Sequence, residues 1–358
     1  MSSEVERRLE RMLEAAPEPD VGAAEEALHR ALQELRPVPP PRRGLRTAAL
    51  AFAAMVVLLV IAAGSLAAAG ALHVTFGAKT KPRPPVTQLT LPRGANGIAA
   101  IVDGRLSVVI KGGFRLQERS ATAAALSPHA LYIAAGIRNS LVAMAPNGRL
   151  AWSHPAGGKV VAIAWRPDGL EIAYVVRSGH RLALHVIYGN GRKDTVIDRS
   201  VRAVRPSWRA DSLSLAYVGA GGKAIVYDLE HRSRRVAAVE PPVSGVAFAT
   251  KGDALAVATP GEVWLVHHRG ATAVERGTAE RFGWLNGRLA VAGPGLTSAE
   301  VRTFSPTGAP RSTSDVQGTV LAVTPKLVVV RSGRKLVAGR TTLLTTRPGA
   351  TVRDLQIG

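Results

Sequence analysis

Six segments of this chain align at a period near 40 residues, and a period of that length leaves few architectures open. Ala124-Ala-Leu-Ser-Pro128 runs into Leu131-Tyr-Ile-Ala134, and Ala162-Ile-Ala-Trp165-Arg-Pro-Asp-Gly169 into Ile172-Ala-Tyr174. Pro206-Ser-Trp208-Arg-Ala-Asp211 runs into Leu215-Ala-Tyr217, and Val246-Ala-Phe248 into Leu255-Ala-Val257. Phe282-Gly-Trp284 runs into Leu289-Ala-Val291, and Leu321-Ala-Val323-Thr-Pro325 into Leu327-Val-Val-Val330. The anchors Leu126, Trp165, Trp208, Phe248, Trp284 and Val323 are spaced by 39, 43, 40, 36 and 39 residues. Each anchor ends a short apolar strand, a turn follows, and a second apolar strand begins.

Several short strands per unit at this spacing predict a mainly β fold, a β-propeller of six to eight blades. Residues 98–118 look like one further unit, which makes seven the expected number. Asp168, Gly169 and Asp211 fall in the turns after the anchors, where Asp and Gly serve turn geometry. Asn147-Gly148, Asn190-Gly191 and Asn286-Gly287 suit the positive φ angles of type I′ hairpins. Tyr174 and Tyr217 fall in the second apolar strands of the two clearest units.

At these residues the chain resembles a known family. Trp165-Arg-Pro-Asp-Gly-Leu-Glu-Ile-Ala-Tyr174 looks like the WD-repeat-like motif of TolB-type propellers, Trp-Ser-Pro-Asp-Gly-x-x-Ile-Ala-Tyr. Trp208 to Tyr217 is a degraded copy, with Ala210 and Ser212 in place of Pro and Gly. The Gly-His and Trp-Asp pairs of true WD repeats are missing. The whole layout is similar to membrane-anchored propeller proteins of high-GC bacteria, a group with no settled activity.

The second organising feature is apolar. Thr47 to Leu72 carries no charged residue, and its centre, Ala51-Phe-Ala-Ala-Met-Val-Val-Leu-Leu-Val-Ile-Ala-Ala63, is long enough for a bilayer core. A cleaved signal peptide has a shorter apolar stretch and a shorter preceding segment. Residues 47–72 are therefore expected to form one transmembrane helix. Arg30, Arg36, Arg42, Arg43 and Arg46 precede it, against Lys79, Lys81 and Arg83 after it. This bias predicts residues 1–46 in the cytoplasm and an exported propeller at 86–358, joined by a linker at 73–85. Residues 1–36 read as two short amphipathic helices: Ser3 and Glu6 form a capping box for one, and Asp20 caps the other.

The formal charge is +20, yet residues 1–46 hold 8 basic and 9 acidic residues, so the excess lies beyond them. A basic exported surface favours an anionic cell-envelope ligand or a protein partner. Nucleic acid is not expected, because no aromatic platform is interleaved with the basic residues. With no cysteine, thiolate chemistry and thiolate metal sites are excluded. No nucleophile elbow is present. Gly219-Ala-Gly-Gly-Lys223 lacks P-loop spacing and reads as a hairpin turn. His267-His268 is the only His pair, and neighbouring strand residues face opposite sides. The expectation is a non-enzymatic, cofactor-free interaction or sensing module. The alternatives are an anti-sigma-like regulator acting through residues 1–36, or a propeller enzyme with a metal at its channel mouth.

Overall fold

The computed structural model describes residues 89–358, apart from 112–113, 119, 146, 269, 278, 280, 294–297, 347 and 358. The segments expected at 1–46, 47–72 and 73–85 lie outside the described residues. Among the described residues no helix is long and apolar enough to cross a membrane.

The described strands form seven four-stranded antiparallel sheets, so the expected seven blades are present. Six are meanders of consecutive strands. Blade 2 runs Ala121–Leu126, Ile133–Ile137, Ser140–Met144 and Leu150–Pro155; blade 3 runs Lys159–Trp165, Glu171–Ser178, Arg181–Tyr188 and Thr195–Asp198. Blade 4 spans Ser207–Trp208 to Ser233–Val236, blade 5 Gly245–Phe248 to Gly270–Arg276, blade 6 Arg281–Leu285 to Pro310–Gln317, and blade 7 Thr319–Val323 to Thr341–Thr345. Blade 1 is composite. Its outer three strands are Gly97–Val102, Arg105–Ile110 and Phe114–Glu118, and its first strand is the C-terminal Val352–Ile357, paired antiparallel to Gly97–Val102. The two ends of the propeller thus share one sheet, and the first strands touch in order from blade 1 round to blade 7 and back. A closed ring has no free inner edge to pair with another chain.

Apolar side chains fill the seams between blades, and every seam has its own cluster. The blade 2–3 seam holds Leu141, Ile163, Ile172, Tyr174 and Ile187, with Trp165 at its edge. Fully burying side chains of this size contributes roughly 1.5–3 kcal/mol each. Because both faces of a blade pack on neighbours, the second strands read as near-continuous apolar runs, such as Ile172 to Val176, all buried.

The anchors follow a simple rule. Each indole N–H of Trp165, Trp208 and Trp284 donates to a backbone carbonyl of the preceding blade: Ala125 at 3.1 Å, Ala164 at 3.1 Å and Ala247 at 2.9 Å. Each acceptor stands one residue before that blade's own anchor, and each is Ala, which leaves room for the ring. At two of the three anchors without an indole, a polar side chain stands at that place. Ser207 Oγ accepts from the Phe248 amide at 2.8 Å, and Gln356 Oε1 accepts from the Leu126 amide at 3.2 Å. Val323 is only partly buried, and Gly283 lies against its backbone.

Two turn expectations need correction. At Asn286-Gly287 both residues have positive φ, 49° and 75°, as a type I′ turn requires. At Asn147-Gly148 and Asn190-Gly191 only the glycines do. There the Asn side chains instead accept from the backbone two residues on, at the amides of Arg149 and Arg192. These are longer hairpin loops that end on a left-handed glycine, and Asn serves as a side-chain cap rather than for its tolerance of positive φ. Gly219 to Lys223 is the hairpin turn between the second and third strands of blade 4.

Candidate functional site

In blades 2–7 the turn after the first strand and the turn after the third open on the same face of the ring. On blades 2, 3 and 4 the first of these turns has one geometry. The fourth residue after the anchor has positive φ: Ala130 at 55°, Gly169 at 76° and Ser212 at 67°. Asp168 and Asp211 cap their turns by accepting from the amides of Leu170 and Leu213, both at 2.9 Å, and pair with Arg166 and Arg209. Slight burial pushes the Asp211 carboxyl up, but Arg209 and the Leu213 amide outweigh it and hold it below its ordinary range. These aspartates are committed to turn geometry.

The next residue in all three turns is a leucine: Leu131, Leu170 and Leu213. They are 61%, 64% and 41% exposed. In blade 5 the same position is Asp253, and blades 6 and 7 have shorter turns there, built on Asn286-Gly287 and Lys326. Tyr132, Leu150 and Tyr188 add to the leucines on blades 2 and 3. Six of the eight large exposed hydrophobics among the described residues therefore share one face of three adjacent blades. The other two, Val196 and Val236, lie in outer strands. An apolar cluster so confined is of the kind that contact surfaces carry.

Between blades 2 and 3 this face sinks into a groove of about 780 Å³. Its walls are Tyr132, Trp152, Trp165, Leu170 and Tyr188. Trp152 is half-buried and donates its indole N–H to the Gly189 carbonyl at 2.7 Å. The ring can lie there because Gly191 has no side chain: a Cβ at that position would stand 2.7 Å from the indole, and its φ is 79°. Arg166 closes one side, ion-paired to Asp168 at 3.0 Å and to Glu171 at 2.7 Å, with its guanidinium 5.9 Å from the Trp208 ring centre. The Lys193 ammonium lies 5.1 Å over the Tyr188 ring.

Below the groove, blades 2 and 3 share a polar cluster. Asp194 accepts from the Tyr174 hydroxyl at 2.8 Å and contacts His185 Nδ1 at 3.0 Å and His154 Nε2 at 3.5 Å. Burial pushes the Asp194 carboxyl up, but these hydrogen bonds and the nearby imidazoles prevail, and it sits below its ordinary range. Burial, then the bond to Asp194, pushes the Tyr174 phenol above its ordinary value. Tyr217, at the matching place in blade 4, donates to Asp198 at 2.8 Å and is likewise raised.

The axis of the ring carries a separate pair of charges. Arg205 precedes the first strand of blade 4, and Asp354 lies in the first strand of blade 1, three blades away. Desolvation lowers the Arg205 guanidinium from its ordinary value, and the Asp354 carboxylate opposes the fall. Burial pushes the Asp354 carboxyl up, partly offset by Arg205. Among the described residues no group of three His, Asp or Glu side chains is placed to hold a metal ion. His267 ends a strand of blade 5, and His268 follows it, exposed.

Of the residues singled out in the sequence, Trp165 and Gly169 meet at the groove, while Asp168 pins the arginine beside it. Leu126, Trp208, Phe248, Trp284 and Val323 sit in other seams, and Tyr174 and Tyr217 cap polar clusters. The leucine stripe was readable from the repeat alignment, five residues after each anchor. Tyr132, Trp152 and Tyr188 carry no such register and meet only through the fold.

No family model matches this chain, and no curated protein matches it. Among solved structures it is similar to TolB from Acinetobacter baumannii, at 12% identity over 73% of this chain, with a TM-score of 0.47. The chain spans 66% of that protein, just under two thirds of its length. It is also similar to U3-55K, at 12% identity over 61% of this chain and 76% of the other, with a TM-score of 0.48. A putative TolB from Agrobacterium tumefaciens is similar at 15% identity over 62% and 90%, with a TM-score of 0.40. Overlaps this loose leave the strand order of the chain itself as the ground for its fold: a seven-bladed propeller closed by its own C-terminal strand.

Proposed function

We propose that this protein is a binding module, tethered to the membrane by residues 47–72, whose exported propeller receives a protein partner on the face of blades 2–4. One observation carries the reading: Leu131, Leu170 and Leu213 repeat an exposed leucine at one turn position on three adjacent blades, and the stripe ends at Asp253 on blade 5. Turn geometry does not ask for leucine there, since the position is solvent-facing and its backbone needs are met by the preceding residue. Exposed leucine costs solubility, so a stripe of it signals that something covers it. The rigid ring holds the turns in fixed relation, which suits recognition better than catalysis. The tether follows from the uncharged apolar run, and the orientation from the basic residues that flank it.

Site-specific photo-crosslinking in cells tests this. A crosslinker placed at residue 170 is expected to trap a discrete protein partner, while the same group at residue 236, on the outer strand of blade 4, traps none. Equal labelling from both positions, or none from 170, overturns the reading.

A further inference from the structure

We infer that the groove between blades 2 and 3 takes an acidic peptide segment of the partner, one that carries apolar anchor side chains. The inference rests on the binding face proposed above and adds the chemistry of its occupant. The floor and walls accept apolar anchors: Trp152, Tyr132, Tyr188 and Leu170 line about 780 Å³, within the size range of pockets that bury a drug-sized ligand and so ample for a few side chains. The rim sets the sign of the flanking residues. The acidic groups at the groove, Asp168 and Glu171, are both engaged by Arg166. The basic groups are not matched in this way. Arg149 and Arg192 stand in the two turns that border the groove; both are exposed and are held through their backbones, the amides by the Asn147 and Asn190 side chains and the carbonyls by the amides of Ala145 and Tyr188. Lys193 lies directly over the Tyr188 wall with no carboxylate against it. One cation thus lies on an aromatic wall of the apolar slot and two more stand exposed in the turns beside it, and a peptide complementary to both has Leu or aromatic anchors flanked by Asp or Glu. Positions 189 and 191 sharpen the slot, because side chains there would strike the Gly169 carbonyl and the Trp152 ring.

The test is a selection of random dodecapeptides on the immobilised full-length chain, followed by affinity measurements for the enriched peptides. Enriched sequences are expected to combine Leu, Phe or Trp with Asp or Glu. Their affinity should fall about tenfold or more in Leu170→Asp, which changes an exposed side chain, and comparably in the Arg149→Glu, Lys193→Glu double variant. Added salt should weaken binding to the parent and have little effect on the double variant. Peptides that lose affinity in Leu170→Asp but are neutral or basic, and indifferent to the charge reversals, would overturn the acidic occupant and leave the binding face standing. Peptides indifferent to Leu170→Asp would overturn the face itself. Binding of the chain to phosphatidylglycerol vesicles, abolished by the same charge reversals while no peptide is enriched, would replace the peptide with a lipid surface.

Discussion

Single side chains in this protein do work that extends across a seam. Trp208 fills the seam between blades 3 and 4 and hydrogen-bonds the carbonyl of Ala164 at 3.1 Å. Trp208→Ala is expected to lower unfolding stability by about 3–5 kcal/mol, and Trp208→Phe, which keeps most of the ring but loses the donor, by about 1–2 kcal/mol. Urea titrations of the two variants separate packing from the hydrogen bond; equal midpoints for parent and Trp208→Ala would refute the anchor role. Asp194 gives a pH signature. Its carboxyl is depressed in the folded state, so its contribution is present above the unfolded value near 3.9 and is lost as pH falls through the lower folded value. Asp194→Asn should therefore be less stable than the parent near neutrality, and the gap should close in acid. A gap that widens in acid would show the sign to be wrong. Gly191→Ala should displace Trp152 as well as strain a backbone with φ of 79°, and its tryptophan fluorescence should report a more solvent-exposed indole.

The element that matters most is the last strand. Val352–Ile357 completes blade 1, and its side chains also reach blade 2: Gln356 Nε2 donates to the Ala124 carbonyl at 2.7 Å, and Asp354 Oδ2 accepts from the Ala124 amide at 3.3 Å. Gln356→Ala leaves the Ala124 carbonyl and the Leu126 amide without these partners and should cost about 1–3 kcal/mol. Hydrogen exchange should then quicken in blades 1 and 2 before the rest of the ring. Exchange that quickens uniformly, or first in blades 4 and 5, would contradict this closure. Elements also differ in how far their sequence reveals them. The alignment of Trp165-Arg-Pro-Asp-Gly169 with Trp208 to Ser212 is legible because identical turns impose identical needs. The closing strand is not, since Val-Arg-Asp-Leu-Gln-Ile mixes polar and apolar residues and carries none of the aromatic anchors that mark the clearer units. The loops at Asn147 and Asn190 defeat a reading from dipeptides, because Asn-Gly suits two loop types and the flanking register decides between them. The groove is half legible: Leu170 has a repeat register, whereas Trp152 arrives from an outer strand through a contact only the folded chain makes.

At the scale of the whole molecule, the ring is uniform in its seams and uneven on one face. Seven similar interfaces hold it together, yet the exposed leucines stop after blade 4. Stability alone would place such residues at random or remove them. The chain's net charge is +20, with the excess beyond residues 1–46, so the stripe is an apolar strip on a domain of net positive charge. In the proposed binding role, that combination steers acidic partners toward a site that then holds them by apolar contact. Hydroxyl-radical footprinting of the full-length chain, in intact cells and after purification, tests the account most directly. The account predicts that Leu131, Tyr132, Leu170, Tyr188 and Leu213 are protected in cells and oxidised once purified, while Val196 and Val236, 39% and 54% exposed, are oxidised alike in both. Equal oxidation of the stripe in cells and in isolation would show that nothing covers it, and would contradict the account.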